Sequence, residues 1–88
     1  MKFQGAVIKE QGVTFAIVVV KRNVVQNSLS AKRAIGTFQV VFPRMPVVLM
    51  AQDSRGHPTY YGRRDIVKFL SKISLRAITW REYSLRRV

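Results

Sequence analysis

The run VTFAIVVV, residues 13–20, is apolar at every position except Thr14. An unbroken apolar run of this length predicts a strand covered on both faces, because a strand with one wet face would alternate. The preceding segment Phe3 to Lys9 is also rich in Val, Ile and Phe, and Glu10-Gln11-Gly12 between the two has turn chemistry, so they read as a hairpin. Val47 to Ala51 is a second unbroken run and predicts a second interior strand. Beyond the turn Asp53-Ser54-Arg55-Gly56, Thr59 to Tyr61 returns as a short strand, and Pro58 places it at a sheet edge or a strand start. Leu75 to Tyr83 predicts a last strand, with Ile78 and Trp80 on one side.

Two segments follow the helical period instead. After Lys21-Arg22-Asn23, the stretch NSLS offers Ser28 and Ser30 as N-caps. Ala31, Ala34, Ile35, Phe38, Val41 and Phe42 then fill one arc at 100° per residue, and Pro43 and Pro46 end the pattern. The β-branched content of TFQVVF and Gly36 favour a rival strand there, but the periodicity favours the helix. From Arg63 to Ile73, the residues Ile66, Leu70 and Ile73, flanked by Val67 and Phe69, draw a second apolar helical face.

The predicted order is β-β-α-β-β-α-β. Two strands apolar on both sides need a covering layer on each, so the expectation is an α/β (α+β) fold: one small domain, residues 1–88, with a mixed sheet and helices on both faces. The helix between the two interior strands makes a βαβ crossover, so those strands should be parallel. Residues 84–88 are expected to fray. The segment from Met45-Pro46 to Ile73, a proline before an apolar strand, a hairpin and a closing helix, resembles the second half of thioredoxin-like domains. The resemblance covers roughly a third of the chain. It implies no oxidoreductase activity, because the redox cysteines of such domains have no counterpart here.

Composition narrows the chemistry. The chain has no cysteine, one histidine and four carboxylates, Glu10, Asp53, Asp65 and Glu82. Thiolate chemistry is excluded, and neither a metal nor a cofactor is expected. The opening MKFQGAVIKEQ lacks the long apolar core of a secretory signal. The run of residues 13–20 is far short of the about twenty residues that cross a bilayer. The expected location is cytoplasmic.

Charge changes the picture most. Sixteen Lys and Arg stand against four Asp and Glu, a net +12 with a pI near 11.5. Residues 1–52 and residues 53–88 each carry +6, so the charge belongs to the folded body and not to a tail. Such self-repulsion works against folding, and its use is attraction of a polyanion by steering and counterion release.

The stretch DSRGHPTYYGRRD, Asp53 to Asp65, concentrates the candidate chemistry: the one histidine, two tyrosines, three arginines and two of the carboxylates. Gly62 is expected to cap the second helix, with Asp65 near its free amides and Arg63 and Arg64 in the first turn. Cations there oppose the helix dipole, so Gly62, Arg63 and Arg64 make a phosphate site, or Arg63 pairs with Asp65 or Glu82 and Arg64 is solvated. Arg64, Lys68 and Lys72 are spaced i, i+4, i+8 and form a like-charged stripe suited to phosphates. Tyr60 and Tyr61 must face opposite sides of their strand, and a ring exposed beside Arg55 and Arg63 could stack on an unpaired base.

The functional expectation is a small basic nucleic-acid-binding domain, for RNA or single strands, that uses Arg55, Tyr60, Tyr61, Gly62, Arg63, Arg64, Lys68 and Lys72. No helix-turn-helix, zinc-finger or RNP signature supports sequence readout. One alternative is a metal-independent ribonuclease of the bacterial-toxin kind, with His57 or Tyr60 as general acid or base and Arg63 stabilising the transition state. Another is a non-catalytic module that docks on an acidic protein.

Overall fold

The computed structural model describes residues 1–85. Five strands, β1 (Lys2–Glu10), β2 (Val13–Val19), β3 (Val47–Gln52), β4 (Pro58–Tyr61) and β5 (Arg81–Ser84), form one mixed sheet in the order β4-β3-β2-β1-β5. Only β2 and β3 are parallel, and every other neighbouring pair is antiparallel. Between β2 and β3 lie two helices instead of one, a single turn α1 (Arg22–Val25) and α2 (Ser28–Gln39); α3 (Arg64–Leu70) follows β4.

The unbroken apolar runs are buried as their pattern requires. Along β2, Ala16 and Val18 enter one core while Phe15 and Ile17 enter the other; along β3, Val47 and Leu49 alternate in the same way with Val48 and Met50. Ala31 and Phe38 of α2 cover the first face, and Ile66 and Leu70 of α3, one helical turn apart, cover the second. The helices are thus divided between the two faces. The first core is aromatic, with Phe3 4.7 Å from Phe38 and Tyr83 5.0 Å from Phe42 between ring centroids. Emptying a site such as Leu70, which is fully buried, costs about 2–5 kcal/mol on truncation to Ala.

The connections depart from the sequence pattern in identifiable places. The β1–β2 turn needs left-handed backbone at two successive residues, supplied by Gln11 (φ 50°) and Gly12 (φ 80°), which is the turn geometry that suits a two-residue hairpin. The cap of α2 is Asn27, not Ser28 or Ser30: its Oδ1 accepts the N–H groups of Leu29 at 2.9 Å and Ser30 at 3.1 Å. Residues 37–39 are helical, 40–41 form a turn and 42 a bend, so the rival strand over TFQVVF does not form. Gln39 Nε2 donates to the carbonyls of Phe42 and Met45, both at 2.6 Å, and holds the bend in which Arg44 takes φ 68°.

The last predicted strand is the largest correction. Leu75–Ala77 is a 3₁₀ turn capped by Ser74, whose Oγ accepts the N–H of Arg76 at 3.2 Å, and only Arg81–Ser84 pairs, with β1. The reason is topological. The chain leaves α3 near the β4 edge and must cross that face to reach β1, so residues 75–80 are a crossing segment that buries Ile78 and part of Trp80 against the α3 layer. Within the expected tail, Ser84 closes β5, and the N–H of Leu85 donates to the Met1 carbonyl at 2.8 Å. The rest of the expected frayed tail, residues 86–88, lies outside the described residues.

Candidate nucleic-acid interface

The stretch Asp53 to Asp65 is divided by β4. Its four residues span about 13 Å at ~3.3 Å each, so the turn holding Arg55 and His57 lies at one end of the sheet and Arg63 and Arg64 lie at the other. The turn is organised by Asp53, whose Oδ1 accepts the N–H groups of Arg55 at 2.8 Å and His57 at 2.9 Å. These bonds, His57's foremost, hold the Asp53 carboxyl below its usual range, and the charge of Arg22 adds to the effect. His57 Nδ1 stands 3.6 Å from Asp53 Oδ2, and the ring is exposed.

At the other end, Gly62 is not the cap of α3; Arg63 occupies that position and its side chain makes no capping hydrogen bond. Glycine at 62 answers a different need, since a Cβ there would lie 2.9 Å from Val48 Cγ2 and 3.2 Å from Val48 Cα. Arg63 donates from Nε and Nη2 to the two oxygens of Asp65, each at 2.8 Å. That pair lowers the Asp65 carboxyl and raises Arg63. The pairing reading of Arg63 is therefore the observed one, while Arg64 is exposed and has no carboxylate partner among the described residues.

The basic stripe is shorter than its spacing suggests. Arg64 and Lys68 share α3, but the helix ends at Leu70, and Lys72 lies beyond it in a turn where its N–H donates to the Phe69 carbonyl. Because α3 runs back along β4, Lys72 approaches the end that carries Arg55. Neither tyrosine offers a free ring. Tyr60 packs in the α3-side core and Tyr61 in the α2-side core, both half-buried. The Tyr60 hydroxyl is buried with no hydrogen-bond partner among the described residues, and burial pushes its pKa up. His57, Tyr60 and Arg63 do not converge on one point.

Three basic residues outside the predicted set join Arg55, His57 and Lys72 at the carboxyl end of the parallel pair. Lys21 and Arg22 leave β2 there, with Arg22 close enough to act on Asp53, and Arg76 lines the same cleft as Gly56 and Pro58. Lys21 and Arg22 had a readable signal, since charged residues directly after an interior strand must emerge at its carboxyl end, where open α/β sheets bind ligands. Arg76 had none, because it lay within an expected strand.

The chain matches no protein-family model, no curated protein and no solved structure. The resemblance of residues 45–73 to thioredoxin-like domains accordingly gains no support. Among the described residues no helix is long and apolar enough to cross a membrane.

Proposed function

We propose that this chain is a small basic nucleic-acid-binding domain that holds RNA or single strands chiefly through their phosphates, without reading sequence. One observation carries the reading: every described Lys and Arg is exposed, and among them only Lys2 and Arg63 pairs with a carboxylate. Cations left without acids on a rigid surface keep condensable counterions for a polyphosphate to exchange, and local ion pairs would have consumed that driving force. The residues favoured for contact are Arg55, Arg64, Lys68 and Lys72, joined by Lys21, Arg22 and Arg76. A cytoplasmic location goes with this reading.

The ribonuclease alternative is less favoured, because the Tyr60 hydroxyl is sealed in a core and the exposed His57 is separated from Arg63 by the length of β4, so acid, base and transition-state cation do not meet. The deciding experiment is fluorescence anisotropy with labelled single-stranded RNA, single-stranded DNA and duplex over a salt series. Engagement of six or more phosphates lowers affinity about a thousandfold between 50 and 200 mM salt. Absence of binding to any polynucleotide at low salt refutes the reading, and a stable complex with an acidic protein in its place would favour the docking module.

A further inference from the structure

Beyond the end of α3 an open cleft of about 530 Å³ separates the β3–β4 turn from the crossing segment. Gln52 and Pro58, which are cross-strand partners, line one side, and Ile73, Ser74, Leu75 and Arg76 line the other. Its chemistry is mixed: Pro58, Ile73 and Leu75 supply apolar surface, and Gln52 and Ser74 supply polar atoms.

Arg76 is the one basic residue in the lining, and further basic residues adjoin the lining in the chain. Gly56 in the lining is flanked in the chain by Arg55 and His57, and Ile73 by Lys72; all three neighbours are exposed. Two separate segments thus carry cations in or next in the chain to the lining of one concavity. The acid nearest in the chain, Asp53, directs its carboxylate into its own turn, toward the N–H groups of Arg55 and His57.

Resting on the nucleic-acid reading above, we propose that this cleft receives one unpaired nucleotide of a single strand, with its base against Pro58, Ile73 and Leu75 and its phosphate between Arg55 and Arg76. A small apolar surface with cations on both sides suits a nucleotide whose flat face and phosphate are both available. A duplex hides its base faces in the stack and presents only phosphates, so it leaves the recess unused. The cleft therefore makes the domain prefer single strands.

Trp80 provides a local reporter. It is the one tryptophan in the chain, and its indole N–H donates at 3.3 Å to the carbonyl of Leu75, which lines the cleft. The test titrates the whole protein with an end-labelled oligouridylate, following anisotropy and Trp80 emission together, alongside a duplex of equal length and free uridine monophosphate. The expected result is a Trp80 response that saturates with strand binding and is absent with duplex.

Arg55→Ala combined with Arg76→Ala should weaken strand binding about tenfold or more, since both cations at the recess are lost. Lys32→Ala combined with Arg33→Ala, on the exposed side of α2 across the sheet, should weaken it no more than about threefold. Circular dichroism checks that both variants stay folded, as all four positions are exposed. Equal losses in the two variants, or strand binding with a silent Trp80, overturn the cleft while leaving nucleic-acid binding intact. Free monophosphate binding as tightly as the oligomer overturns the strand as its ligand. Failure of every polynucleotide to bind removes the underlying reading itself.

Discussion

Arg63 and Asp65 hold each other in a two-point pair, Nε to Oδ1 and Nη2 to Oδ2, each at 2.8 Å. The carboxylate takes the two donors that a phosphate would use, so the most fork-like cation of the sequence motif is occupied by its own neighbour.

Asp65→Asn should release Arg63. Affinity for single-stranded RNA at low salt then rises, and the slope of log K against log salt steepens by up to about one phosphate contact. Salt-titrated anisotropy measures both, and an unchanged slope would place Arg63 outside the contact surface.

Asp53 links the shape of the β3–β4 turn to pH. Its folded pKa is depressed, so its contribution is fully present above the unfolded value of about 3.9 and is lost as pH falls through the lower folded value. At neutral pH, Asp53→Asn should therefore speed amide hydrogen exchange at Arg55 and His57. In acid, once the wild-type carboxyl is protonated, the two proteins should converge. A difference that persists there would mean that geometry, not charge, organises the turn.

Tyr60 buries a hydroxyl that meets no partner among the described residues. Removing an unsatisfied buried polar group relieves a desolvation cost of about 1–3 kcal/mol, so Tyr60→Phe should stabilise the protein by about 1 kcal/mol after losses in packing. Urea unfolding should show a higher midpoint with an unchanged m-value. In the wild type, burial favours the neutral phenol: the stabilisation is present below the ordinary tyrosine value and lost as pH rises through the higher folded pKa, visible as one late-titrating tyrosine.

Gly62 stands against Val48 so closely that even one methyl has no room. Gly62→Ala should destabilise by about 1–3 kcal/mol, the range for overpacking a rigid site. Adding Val48→Ala should recover part of that loss, giving a double variant less damaged than the two single effects combined. Strict additivity in urea melts would argue against this contact as the cause.

The elements legible in advance were those whose burial repeats along the chain. Phe15 to Val18 and Val47 to Met50 are apolar at successive positions, and Ile66 and Leu70 recur one helical turn apart, so a local pattern reports the layer each faces. The capping by Asn27 and the 3₁₀ turn at Leu75–Ala77 were not legible. Asn, Ser and Thr all suit a cap, and TW at 79–80 suits a strand as well as a crossing. The candidate site was legible as a composition but not as an arrangement: β4 carries Arg63 away from Arg55, while α3 returns Lys72 toward it.

From its own residues the chain determined a cysteine-free α/β body with a strongly positive charge and a core on each face of its sheet, because charge and periodic burial are properties of short stretches read in order. Tertiary structure alone decided that Arg63 is paired with Asp65, that the Tyr60 hydroxyl is sealed away, and that Arg76 lines one cleft with Gly56 and Ile73, the chain neighbours of Arg55 and Lys72. Those outcomes depend on which strand ends meet and on the direction in which α3 returns, and side chains far apart in the chain have no local pattern that records their approach.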